Sequence, residues 1–178
     1  MILISIALYG IGIITGLVTA PDISERTIGD ISDLAELGEF LTTLPDWGVT
    51  IFILFKNISA LLISYIFSPF FCLVPIAALL LNGWLIGYIS AVVLQEESLS
   101  YLLTGLIPHG ILEIPAFLFG EAVALSLGST LVISIFNKEK REQLIPHFRQ
   151  NLKYLAIALA ILVPAAIIEA YVTPALLE

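Results

Sequence analysis

Pro108-His109-Gly110-Ile111-Leu112-Glu113-Ile114-Pro115 sets an imidazole and a carboxylate four residues apart between two prolines. The flanks, Tyr101 to Ile107 and Ala116 to Phe136, are apolar almost without interruption. Ionisable groups in such surroundings are costly, and they face a bundle interior, a partner or a cavity rather than lipid. As one straight helix, Tyr101 to Asn137 would measure roughly 55 Å, against a hydrocarbon core of roughly 30 Å. The segment must therefore tilt strongly or break. Proline removes a backbone donor and glycine loosens the chain, so the break is expected at Pro108 and Gly110. This predicts a short or re-entrant piece over Tyr101 to Ile107, then a long helix from about Gly110.

The rest of the chain matches such a setting. Its hydrophobic fraction is 59%, only 12% of residues are charged, and mean hydropathy is +1.05. Soluble domains carry about twice that charge. The composition predicts an all-α polytopic membrane bundle of about five spans, with residues 1–178 as a single membrane domain. Met1 to Ala20 has no charged side chain and reads as a retained first span, because it lacks the basic start of a signal peptide. Within it Gly12 and Gly16 form a small-xxx-small pair, the pattern of a helix-contact face or of glycines merely tolerated in lipid. Residues 21–48 hold seven acids against one base, Arg26, with Ile28, Ile31, Leu34, Leu37 and Leu41 at helical spacing. They predict an acidic amphipathic cap, solvated on its charged face. Residues 49–178 form a core of four further segments: Val49 to Phe67, Pro69 to Leu94, the divided fourth, and Leu152 to Leu177. A basic loop, partly helical, is expected over Lys138 to Lys153. The single Cys72 reads as packing, and a net charge of −8 argues against nucleic acid as a partner.

Five of the seven bases (Lys138, Lys140, Arg141, Arg149 and Lys153) lie in that loop, which the positive-inside rule makes cytoplasmic. Counting spans outward places the N-terminus in the cytoplasm, and the cap and C-terminus outside, in a multi-pass protein of the cell membrane. The same bases attract anionic headgroups. At 1.5 Å per residue, Asn57, Asn82, His109, Glu113 and Glu169 reach similar depth from four segments. His109 and Glu113 share a face that continues through the small residues Ala116, Gly120 and Ala124, so Glu113 points at a close-packed neighbour. Glu121 lies deeper and off that face.

Three readings of these groups stay open. His109, Glu113 and Glu169 form a usable ligand set for a divalent metal such as zinc, three protein ligands with one open position. The same groups could relay protons or ions. Or they form a structural hydrogen-bonded cluster in which His109 pairs with Glu113 or Glu169, and Asn57 and Asn82 join helices. No phosphate loop, paired-cysteine site or zinc-protease motif is present, and no catalytic residue is assigned. His147 reads as a surface or interfacial histidine.

Ile51-Phe52-x-x-Phe55-x-Asn57, Asn82-Gly83-x-x-x-Gly87, Pro108-His109-Gly110-x-x-Glu113-x-Pro115-Ala116 and Ile168-Glu169-Ala170 occur in this order. The pattern resembles the stage II sporulation protein M family of integral membrane proteins. The proline-histidine-glycine stretch is its specific part, and Lys56-Asn57 stands where the family pattern has an Asn-Asn pair. The resemblance implies that Asn82, His109, Glu113 and Glu169 match intramembrane polar positions. It further implies a membrane partner of envelope proteins, which in spore formers are peptidoglycan-degrading enzymes. The expected function is a non-catalytic scaffold or partner in the envelope membrane, with self-association open. The alternative is a metal-dependent intramembrane enzyme or an ion or small-solute carrier.

Overall fold

The computed structural model describes residues 1–24 and 43–177. The helices are α1 (Ile2–Ser24), α2 (Asp46–Phe67), α3 (Leu73–Glu96), α4 (Leu99–Phe136), α5 (Lys138–Glu142), α6 (Leu144–Tyr171) and α7 (Thr173–Leu177). Of the described helices, α1, α2, α3, α4 and α6 are long and apolar enough to cross a bilayer. The protein is an all-α, five-span membrane bundle. Its outer surface carries exposed Leu3, Val18, Phe55, Phe71 and Phe136, which suits a hydrocarbon solvent. Most of the acidic cap expected over 21–48 lies outside the described residues. At its edges, α1 runs on through Pro21 to Ser24, and α2 begins after an extended Pro45.

The close approaches fix the direction of each span. A Cβ on Gly12 would stand 2.5 Å from the carbonyl oxygen of Leu80, and one on Gly16, Gly83 or Gly87 would overlap the carbonyl oxygen of Trp84, Tyr9 or Ile13. Two Gly-x-x-x-Gly faces therefore pack backbone to backbone, which small residues permit. Numbers rise together along both helices, so α1 and α3 are parallel. The Trp84 indole donates to Thr19 Oγ1 at 2.9 Å and closes one end of the contact. Likewise α2 and α4 are parallel, since Leu61 meets Gly120 and Ser68 meets Gly128. Helix α6 runs antiparallel to α4, with His147 near Ser126 and Glu169 near Glu113. The spans thus alternate in direction.

Helix α4 keeps its helical backbone over 38 residues with Pro108 and Pro115 inside it. Its apolar length divides at His109 into Leu99–Pro108, too short to span, and Gly110–Phe136, which is long enough. The division falls where the proline and glycine predict it and is consistent with a broken fourth segment. The backbone nonetheless stays helical across it, because each proline withdraws only one hydrogen bond, to Thr104 or to Ile111.

The second span starts at Asp46 rather than Val49, the third ends at Glu96 rather than Leu94 and the fifth ends at Tyr171 rather than Leu177, and two further boundaries differ for reasons the structure shows. The third span starts at Leu73 rather than Pro69, because Ser68 to Cys72 form a tight turn with Phe71 and Cys72 at φ 52° and 57°. Left-handed non-glycine residues cost roughly 1–3 kcal/mol each. The turn is held by Cys72 N–H donating to Ser68 O at 3.0 Å and by Ser68 Oγ donating to Tyr65 O at 2.8 Å. Cys72 is half-buried and its Sγ lies 3.7 Å from Leu125 O, a packing role. The fifth span starts at Leu144 rather than Leu152, because the basic stretch is helical through α5 and the first turns of α6.

Candidate functional site

On α4, Ala116, Gly120 and Ala124 are buried, and Leu61 of α2 and Ala158 and Leu162 of α6 pack against this stripe. These small residues draw α2 and α6 onto one face of α4. Glu113 lies one turn before Ala116 on the same face and is held between those helices. From α6, Glu169 lies beside Glu113, and Lys56 of α2 is within electrostatic reach. The Glu169 oxygen Oε2 is buried without a hydrogen-bond partner among the described residues.

Lys56, Asn82, Glu113 and Glu169 line a cavity of about 330 Å³. Its apolar walls are Leu85, Ile86, Ile89 and Val93 of α3 and Tyr101, Leu102 and Leu106 of the short first piece of α4. A smaller hollow of about 70 Å³ shares Lys56, Asn82 and Glu113 and reaches Tyr9, Asn57 and Gly110. The site is thus drawn from five spans. It combines one ammonium, two carboxyl groups and two amides in an apolar shell.

The structure brings Asn57, Asn82, Glu113 and Glu169 together. Asn82 departs from the expected role of joining helices, because its amide donates to Ala78 O of its own helix at 2.9 Å. His109 occupies its place in α4, and its side chain lies outside the described residues. Glu121 is set apart, as its deeper position predicts. It is 0% exposed and accepts from Ser64 Oγ of α2 at 2.5 Å. Among the described residues, no group of three or more His, Cys, Asp or Glu is placed to hold a metal ion. Glu113 and Glu169 are the described members of the expected set.

Two features escaped the sequence reading. Lys56 faces the cavity as a counter-charge; a base inside an apolar span was the available signal. His147 is half-buried, with Nε2 3.1 Å from Ser126 Oγ and 3.0 Å from Thr130 Oγ1 of α4. It ties the start of α6 to α4. Ser126 and Thr130 stand at i,i+4 on an apolar helix, so they share a face.

The family model described as Stage II sporulation protein M matches residues 5–174. An uncharacterized protein of Methanocaldococcus jannaschii is 25% identical over 174 residues, covering 97% of this chain and 93% of that protein. No solved structure matches.

Proposed function

The chain belongs to the stage II sporulation protein M family, and from that membership we propose a non-catalytic membrane scaffold, a partner of other envelope or membrane proteins. The observation that carries this reading is the use of buried polar groups to join spans. Ser64 with Glu121 ties α2 to α4, His147 with Ser126 and Thr130 ties α6 to α4, and Trp84 with Thr19 ties α3 to α1. A rigid bundle of this kind presents a fixed surface to partners. The basic stretch from Lys138 to Lys153 is assigned to the cytoplasm by the positive-inside rule. The N-terminus is then cytoplasmic and the C-terminus external.

A second reading rests on the cavity. Lys56, Asn82, Glu113 and Glu169 surround space for a small cationic or polar solute. An intramembrane group of this sort fits an ion or solute carrier. A divalent metal held by Glu113 and Glu169, with His109 as third ligand, belongs to the same reading and would supply Lewis-acid chemistry.

One experiment separates the two. The untagged protein is reconstituted into vesicles, bound metal is assayed, and proton and monovalent-cation flux is measured beside that of Glu169→Gln. The scaffold reading expects no stoichiometric metal and no flux above empty vesicles. Flux or bound metal that Glu169→Gln abolishes would replace it with the second reading.

A further inference from the structure

The first turns of α6 separate two grooves. On one side an apolar groove of about 450 Å³ is lined by Tyr65, Ile66, Leu127, Leu131, Ile145 and Phe148. On the other side a groove of about 590 Å³ is lined by Ile145, Pro146, Arg149, Gln150, Lys153 and Tyr154. Ile145 is the ridge common to both. Ile145, Arg149 and Lys153 recur every fourth residue and form one stripe along the helix. Among the described residues, no carboxylate lines the second groove. Long basic side chains at such a place extend their charged ends toward the membrane–water interface.

We propose that this pair of grooves is a binding site for one acidic glycerophospholipid, its phosphate on Arg149 and Lys153 and an acyl chain across Ile145 in the apolar groove. Charge selects the occupant. Two cations without a carboxylate among the described lining residues favour an anionic headgroup, while the described lining of the adjoining groove is apolar side chains and the Tyr65 ring. A bound lipid would join the start of α6, through its phosphate, to the ends of α2 and α4, through its acyl chain, at the place where His147 already ties α6 to α4. The site is separate from the Glu113–Glu169 cavity and stands independently of either functional reading.

The test is native mass spectrometry of the full chain, delipidated in neutral detergent and titrated with phosphatidylglycerol or phosphatidylcholine. Arg149→Gln/Lys153→Gln is compared with Lys138→Gln/Arg141→Gln, which removes equal charge elsewhere on the same side. Melting temperatures in phosphatidylcholine micelles establish that both variants fold. The expected result is one phosphatidylglycerol per protein, bound in preference to phosphatidylcholine. Affinity should fall about thirtyfold in the first variant, the loss of two interfacial bases, and change less than about twofold in the second. Excess inorganic phosphate should not displace the lipid. Equal weakening by both variants, no preference over phosphatidylcholine, displacement by phosphate alone, or a lipid-free dimer that occupies the grooves would each overturn the proposal.

Discussion

Ser64 and Glu121 show how a single pair can govern a membrane bundle. Glu121 is fully buried, and its Oε1 has no hydrogen-bond partner among the described residues, so the Ser64 hydroxyl is the contact that offsets its desolvation. A double-mutant cycle of Ser64→Ala with Glu121→Met, read by denaturation in detergent, should give a coupling of about 1 kcal/mol. A coupling near zero would mean that the two side chains do not depend on each other. His147→Ala should cost a similar amount, about 1 kcal/mol, by releasing Ser126 and Thr130, and His147→Gln should restore part of it. At this scale the sequence was only partly legible. It marked Glu113, Glu121 and Glu169 as buried carboxyl groups, because charge in an apolar run is unmistakable. It could not pair them, because Ser64 lies 57 positions from Glu121 in the chain, and serines in apolar helices carry no directional signal.

Among the elements, α1 and α3 make the most specific prediction. A Cβ at Gly87 would overlap Ile13 O, whereas a Cβ at Gly10 meets nothing within 4 Å. Gly87→Ala should therefore destabilise by about 1–3 kcal/mol through forced separation of two backbones. Gly10→Ala should be neutral or stabilising by up to about 1 kcal/mol, the helix propensity gained. Equal effects of the two, in thermal melts of purified protein, would contradict the packing. Gly12 and Gly16 were readable as a candidate contact face, but not their partner, since the parallel match to Gly83 and Gly87 exists only once α2 returns the chain. The division of α4 was legible because Pro108 and Gly110 interrupt an overlong apolar run. The early start of α6 was not, since a basic amphipathic stretch reads equally as loop or as interfacial helix.

For the whole molecule, alternating spans place the α3–α4 turn and the α4–α6 connection at opposite ends. In a Cys72→Ala background, Glu97→Cys should react with an impermeant thiol reagent from outside, and Glu142→Cys only after the cytoplasmic side is opened. Labelling of both from one side would contradict the five-span arrangement. Length and hydropathy disclosed the five spans, because the bilayer imposes them on any chain of this composition. The cavity was legible only as a common depth for Asn57, Asn82, Glu113 and Glu169; its third dimension depends on which helix faces meet, and Lys56 joined it unannounced. The convergence of α4 and α6 at Glu113 and Glu169 is the central claim about the candidate site. It is tested most directly by replacing both residues with cysteine in the Cys72→Ala background and treating native membranes with a short bifunctional thiol reagent. The account predicts efficient bridging of Glu113→Cys to Glu169→Cys. It predicts none between Glu121→Cys and Glu169→Cys, since Glu121 lies roughly 12 Å further along α4. Bridging of the second pair but not the first would contradict it.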